Sequence, residues 1–394
     1  MTDAYANLTA GSYTIMAQER VVFGKPAGEA VVAEAERIGA KRVFVLSTRS
    51  LSQLENGPLQ RVVKALGQRH VGTFTAIRAH SPREDICAGA NQAREARADL
   101  LVAVGGGSVI DATKAMQLCL WQNLRTADDL EPYRPGGEAM PGLNPPQDAI
   151  RMIAVPTTLS AAEFTSFSGV TDSKTHTKQL YQHRLFAPRI VVLDPGCTMD
   201  TPDWLLFCTG IRAVDHAVES YCALTANPAT EALSLQGLRL LARALPAIKR
   251  NPKDLAPRLE AQFGMWQSIT PLASGVPTGA SHGIGYVLGG TYGVAHGHTS
   301  CVMLPAVLRW NALENAQRQR ALSEAMGEPN RPAFELIAEL IAAVDQPGNL
   351  RAVGIKREAF DDIATRALGY DPVRLNPRKV SSADDVKEIL EIAW

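Results

Sequence analysis

The sequence predicts two parts: an α/β domain built on a parallel sheet over residues 1–196 and an all-helical domain over residues 197–394. Three observations carry this. Short apolar runs alternate with helical stretches in the first half, strand-like runs become scarce after Asp194-Pro195, and one apolar run leads straight into Gly105-Gly106-Gly107-Ser108. Strands alternating with helices are the pattern of a parallel sheet covered on both faces.

The elements follow in order. Residues 42–46 read as a buried strand, preceded by an amphipathic stretch over 27–38. Residues 100–104 read as a second strand, followed by the glycine run and a helical pattern to residue 120. Residues 150–155 and 190–193 are two more strands, and the Pro- and Gly-rich segment 128–147 reads as an excursion loop. Helical periodicity then covers 204–224, 229–248, 255–274, 318–326 and 333–343, with a short, partly helical C-terminus from 383 to 394.

Composition excludes several classes of function. The 394-residue chain has zero formal net charge and no basic run of five, so it carries no electrostatic footprint for nucleic acid or an anionic membrane surface. It has no apolar run long enough to span a bilayer, and its N-terminus lacks the basic start and apolar stretch of a signal peptide. The six cysteines form no CxxC pair and read as reduced, mostly buried thiols of a cytoplasmic protein, or else as a set with one reactive member.

A strand, then Gly105-Gly106-Gly107-Ser108, then a helix, suits phosphate binding. Glycines admit the anion close to the backbone, and the helix N-terminus presents free N–H groups. Ser108 adds a hydroxyl donor or caps the helix. The run is not GxGxxG, so its other reading is a plain tight turn. Thr157 and Thr158 follow the strand ending at Val155 and either face the ligand crevice or cap a helix. The strand over 43–46 ends in Ser47-Thr48-Arg49-Ser50, without the carboxylate that selects NAD. Arg49 either meets a 2′-phosphate or is a solvated surface charge. The expected cofactor is NAD(P)H, with dual use or a preference for NADPH.

In the helical half, Arg212 and His216 are four apart and share a helix face, while Asp215 is read as pointing elsewhere, about 100° from its neighbour His216. His282 and His296 are fourteen apart in a glycine-rich block with Tyr286 and His298. Three histidines at these spacings read as a site that holds a divalent ion or polarises a carbonyl. His298 reads as structural or as a residue of the outer shell around the site.

Over nearly its whole length the chain resembles the iron-containing (group III) alcohol dehydrogenases. The resemblance rests on Gly105-Gly106-Gly107-Ser108 with Asp111 and Lys114, Pro156-Thr157-Thr158, Lys178, Asp194-Pro195, the helix over 210–219 and the block 279–299. It implies a dehydroquinate synthase-like fold: an α/β N-terminal dinucleotide-binding domain, with Asp111 and Lys178 among its cofactor contacts, and an all-α C-terminal domain. It also implies a homodimer. In metal-binding members an Asp and a His four apart, with two later His fourteen apart, hold iron or zinc. Here His216, His282 and His296 match, Arg212 stands at the Asp position, and Tyr286 replaces a further histidine.

Maleylacetate reductases are the metal-independent branch, and the chain is similar to them in Leu46-Ser47-Thr48, in the shortened run Thr157-Thr158-Leu159-Ser160-Ala161-Ala162-Glu163-Phe164-Thr165, and in Val287-Leu288-Gly289-Gly290-Thr291. Asp111 and Tyr286 depart from that branch. A guanidinium at a ligand position repels a divalent cation and suits a carboxylate. The expectation is therefore a metal-independent NAD(P)H-dependent oxidoreductase of aromatic-compound degradation. It would take a small carboxylate-bearing keto or enoic acid such as maleylacetate, at a metal site converted to a cationic pocket of Arg212, His216, His282, Tyr286 and His296. The alternatives are a metal-dependent (Fe/Zn) alcohol dehydrogenase or aldehyde reductase with His216, His282 and His296 as ligands, a dehydroquinate-synthase-like lyase, and a cofactor-binding protein without catalysis.

Overall fold

The structure is a computed structural model that describes residues 11–140, 142–175 and 177–394; the N-terminal residues read above for a signal peptide lie mostly outside that range. Its contacts divide it into two compact units. One comprises Met16–Thr209 and Ala247–Gln262, the other Gly210–Pro246 and Phe263–Trp394 with the segment ending at Ile15.

In the first unit the strands are β1 (Arg20–Phe23), β2 (Val43–Leu46), β3 (His70–Phe74), β4 (Leu100–Gly105), β5 (Arg151–Pro156) and β8 (Ile190–Leu193), with an antiparallel hairpin of β6 (Phe167–Asp172) and β7 (Thr177–Gln182). The helices are α1 (Ala27–Arg37), the one-turn α2 (Arg49–Ser52), α3 (Pro58–Leu66), α4 (Arg83–Glu95) and α5 (Gly107–Trp121). The six-stranded sheet runs β1-β8-β5-β4-β2-β3, and every pairing is parallel.

The strand sequences are apolar throughout because both sheet faces are buried. Phe44, Leu46, Leu101, Ala103, Met152 and Ala154 point into one core. Val43, Val45, Leu100, Val102, Val104, Ile153 and Val155 alternate with them into a second core on the other face. The strand order reverses between β2 and β4. That reversal is the topological switch point where open α/β sheets bind ligands, beyond the carboxyl ends of the strands.

The second unit is helical: most of α6 (Asp203–Cys222), then α7 (Pro228–Arg250), α8 (Leu255–Ala273), α9 (Ala280–Gly290), α10 (His296–Asn311), α11 (Ala316–Ala325), α12 (Ala333–Ala343), α13 (Phe360–Ala367), the one-turn α14 (Asp371–Arg374) and α15 (Ala383–Ile392), with the first part of α6, the end of α7 and the start of α8 counted with the sheet unit. The block read as a glycine-rich run is the helix α9 and the start of α10. Its glycines serve close packing: a Cβ at Gly283 would meet Val373 at 2.4 Å, and one at Gly285 would meet Thr299 at 3.0 Å. The six cysteines are free and buried, and among the described residues no helix is long and apolar enough to cross a membrane.

Candidate functional site

The sheet unit gathers one set of the residues singled out in the sequence. Gly105 ends β4, next to Pro156 at the end of β5, and Leu46 of β2 pairs with Ala103 of β4. The Gly105 to Ser108 turn, Thr157-Thr158 and Ser47-Thr48-Arg49 therefore share one end of three adjacent strands, at the switch point.

The glycines are required there. A Cβ at Gly105 would stand 2.5 Å from Val109 Cγ2, one at Gly106 would stand 2.9 Å from Thr158 Cγ2, and one at Gly107 would stand 3.1 Å from Ser160 Oγ. The turn opens the 15-residue helix α5, whose first N–H groups suit an anion. Ser47 is buried and donates its hydroxyl to the Val104 carbonyl at 2.8 Å, tying β2 to β4. Thr48 caps α2 by accepting from the Leu51 N–H at 3.4 Å, and Arg49 is exposed. Asp111 accepts from the Gly169 N–H at 3.1 Å, and Lys178 lies so flat across Gly169 that a Cβ there would be 2.3 Å from its Cε. Asp111 and Lys178 thus meet at Gly169.

Two residues near this turn escaped the sequence reading. His80 and Ser81 both adopt positive φ, 64° and 53°. The His80 N–H donates to Ser108 Oγ at 3.1 Å and the Ser81 hydroxyl donates to the Ser108 carbonyl at 2.8 Å. With its oxygen already accepting, the Ser108 hydroxyl keeps its own proton for a ligand. Consecutive left-handed residues that are not glycine were the missing signal, and no residue type announces them.

The helical unit gathers the second set. Arg212 and His216 of α6 and His282 of α9 are buried together; the His216 and His282 rings lie 4.9 Å apart, tilted by 35°. Tyr286 stands edge-on to His282 at 6.4 Å and to Tyr370 at 5.6 Å. His296 begins α10 and is exposed, though its charge bears on His216. His298 is partly exposed on the same helix.

Asp215 does not point elsewhere. Its Oδ2 is 3.9 Å from Arg212 Nη1, 3.4 Å from His282 Nδ1, and accepts the Ser281 hydroxyl at 2.8 Å. Residues three apart on a helix lie within about 60° of each other, so Asp215 falls on the Arg212 side despite its angle to His216. Glu219, one further turn along, was also missed. It accepts backbone N–H groups of Gly279, Ser281 and His282 at 2.8, 2.7 and 3.3 Å, anchoring the start of α9, and lies 2.7 Å from His282 Nδ1. Arg212 donates to Ser300 Oγ at 2.9 Å.

Burial governs the protonation of this cluster. It holds His216 well below the ordinary histidine value, helped by the charges of His282, Arg212 and His296. It pushes His282 down to about 3, aided by Arg212 and opposed by Asp215. It raises Asp215 to about 6, Glu219 to about 7, and the Tyr286 phenol above its usual value. The imidazoles are therefore neutral near pH 7, and the pocket balances one guanidinium against two carboxyl groups. It is not the purely cationic pocket that the sequence suggested. Arg212 Nε, His216 Nδ1, His282 Nε2 and Asp215 Oδ1 are buried with no hydrogen-bond partner among the described residues. Buried polar atoms are rarely left so, and four in one cluster make this the candidate polar site of the helical unit.

The sheet unit thus offers a glycine turn that suits an anion, and the helical unit a buried polar cluster. The chain belongs to the iron-containing alcohol dehydrogenase family: the model of that family matches residues 18–195, and the model of its C-terminal region matches 207–394. A dehydrogenase of Gibberella moniliformis is 32% identical over 95% of each chain, and a maleylacetate reductase of Burkholderia cepacia is 29% identical over 95% of each. The crystal structure of maleylacetate reductase from Agrobacterium tumefaciens superimposes with a TM-score of 0.82 at 25% identity, covering 97% of each chain.

The family's two accessory groups fare differently against these residues. A dinucleotide phosphate suits the turn, because the glycines lead straight into the free N–H groups that open α5. A divalent metal suits the helical pocket less well. The position of the expected carboxylate ligand holds a buried guanidinium, which at ~4 Å repels each unit of positive charge by about 4 kcal/mol in a protein environment. Asp215, Glu219 and His282 have ligand atoms within 4.8 Å of one another, but they are hydrogen-bonded together, with His282 Nδ1 on Glu219 and Ser281 on Asp215.

Proposed function

We propose that the chain is a metal-independent NAD(P)H-dependent reductase of a small carboxylate-bearing keto or enoic acid. Maleylacetate, reduced to 3-oxoadipate in aromatic-compound breakdown, is the leading substrate. The observation that carries this is Arg212: a buried guanidinium with an unpartnered Nε stands where the metal's acidic ligand would be. The similarity to maleylacetate reductases supports the substrate class.

In this reading Gly105, Gly106, Gly107 and Ser108 hold the cofactor's phosphates, with Ser47, Thr48, Arg49, Asp111, Thr157, Thr158 and Lys178 around them. The bound cofactor supplies the hydride. Arg212 docks a substrate carboxylate and stabilises the charge that develops on the acceptor oxygen. His216, His282 and His296 complete the polar wall. Tyr286 keeps its phenolic proton at neutral pH, because burial raises its pKa, and delivers it to the substrate. The protein acts in the cytoplasm as a homodimer.

A second reading is a metal-dependent alcohol dehydrogenase or aldehyde reductase. The unpartnered nitrogens of His216 and His282 favour it, since bare imidazole nitrogens are metal ligands. Arg212→Ala separates the two. The proposal expects kcat/KM for maleylacetate to fall on the order of 100-fold, the scale of an unpaired buried charge contact. Unchanged reduction of dicarboxylates would refute the docking role.

A further inference from the structure

His282 has two ring nitrogens, and the structure determines which one carries the proton. Nδ1 faces acceptors: Glu219 Oε2 at 2.7 Å and Asp215 Oδ2 at 3.4 Å. Glu219 also receives the backbone N–H groups of Gly279, Ser281 and His282. Burial raises this carboxyl to about 7, and the three donors aimed at it act against that rise, in favour of its ionised, accepting form. A lone pair on Nδ1 would face those oxygens without a proton between them. The other nitrogen, Nε2, is buried and has no partner among the described residues.

We propose that Glu219 is a positioning residue that locks His282 in the Nδ1–H tautomer, so that Nε2 presents only a lone pair and accepts a hydrogen bond from a protonated substrate oxygen, an enol or a hydroxyl. This rests on the reading that the pocket binds substrate, but not on which oxo acid is bound. It divides the labour within the pocket. Arg212 supplies donors to an anionic group, and His282 supplies the acceptor beside it. The favoured ligand therefore carries a carboxylate and an enolisable or hydroxylated carbon. His282 does not protonate the substrate in the reducing direction, which leaves that task to Tyr286.

The arrangement also explains why three residues missed in the sequence converge here. Glu219 anchors the start of α9 and orients the ring in one act. Ser281 donates to Asp215, which keeps a second acceptor close to Nδ1. A hydrogen bond to one ring nitrogen sets the state of the other, and behind metal-bound histidines loss of such a partner lowers activity by about 10–100-fold, the scale taken over here.

The experiment is a two-bond ¹H–¹⁵N correlation spectrum of the full-length protein labelled with [¹⁵N]histidine. One ring, identified by its loss in His282→Gln, is expected to show a protonated Nδ1 and a bare Nε2. Glu219→Gln turns an amide N–H toward Nδ1. It should move the proton to Nε2 and lower kcat/KM by about 100-fold, with the NADPH dissociation constant unchanged. Glu219→Asp keeps an acceptor and should retain the wild-type tautomer. A protonated Nε2 in the wild-type protein, or a tautomer insensitive to Glu219→Gln, overturns the proposal. If Glu219→Gln does not fold, the wild-type spectrum still decides. If the tautomer is as assigned and maleylacetate is not reduced, the substrate reading fails while the role of Glu219 stands.

Discussion

Arg212 Nη1 and Asp215 Oδ2 face each other at 3.9 Å on adjoining turns of α6, both buried. The carboxylate missing from position 212 reappears three residues later, where it balances the arginine. Removing one member of a buried pair strands the other charge, at a cost of about 3–5 kcal/mol, whereas replacing both by neutral groups of similar size is close to neutral. Arg212→Met should therefore be clearly less stable in urea denaturation than the double variant Arg212→Met with Asp215→Asn. Equal stabilities would show that the two charges are not coupled.

The proposed cofactor turn makes a different demand. A Cβ at Gly106 would stand 2.9 Å from Thr158 Cγ2, so Gly106→Ala must push Thr158 away or tilt the turn. The expected result is at least about a tenfold rise in the NADPH dissociation constant, equivalent to 1.4 kcal/mol, with little change in melting temperature. Fluorescence titration with NADPH measures it. An unchanged dissociation constant would remove the turn from the cofactor site.

Buried Glu163, close to the turn that opens α5, gives a pH-dependent prediction. Burial raises its pKa from the ordinary 4.5 to about 8, and neither carboxyl oxygen has a partner among the described residues. A raised pKa means that the folded state holds the proton more tightly than the unfolded chain. The stability this lends is full below pH 4.5 and is lost as pH rises through about 8. Glu163→Gln cannot ionise, so its melting temperature relative to wild type should climb between pH 5 and pH 9. A constant difference would show that Glu163 is ionised throughout.

Much of this was legible in the sequence, and the misses have physical reasons. The parallel sheet was readable because strands such as Leu100–Gly105 are buried on both faces and so lack polar interruptions. The hairpin of β6 and β7 was not, because Thr177–Gln182 is mostly exposed and polar and so lacks the apolar run that marks a buried strand. The glycines of α9 hid a helix, since glycine disfavours helices until close packing against Val373 and Thr299 requires it. Arg212, His216 and His282 were found by spacing alone. Asp215 and Glu219 were not, although they extend the same stripe, 212, 215, 216 and 219, along one helix face. Their role depends on His282, which chain spacing cannot place against them.

In the proposed function a guanidinium does here what a metal does elsewhere in the family. The most direct test is NAD(P)H consumption by the purified protein with maleylacetate and with a simple aldehyde such as propanal, each with and without EDTA. The account predicts rapid oxidation with maleylacetate, unaffected by EDTA, and little with propanal. Activity on propanal that EDTA abolishes and Zn²⁺ or Fe²⁺ restores would contradict it.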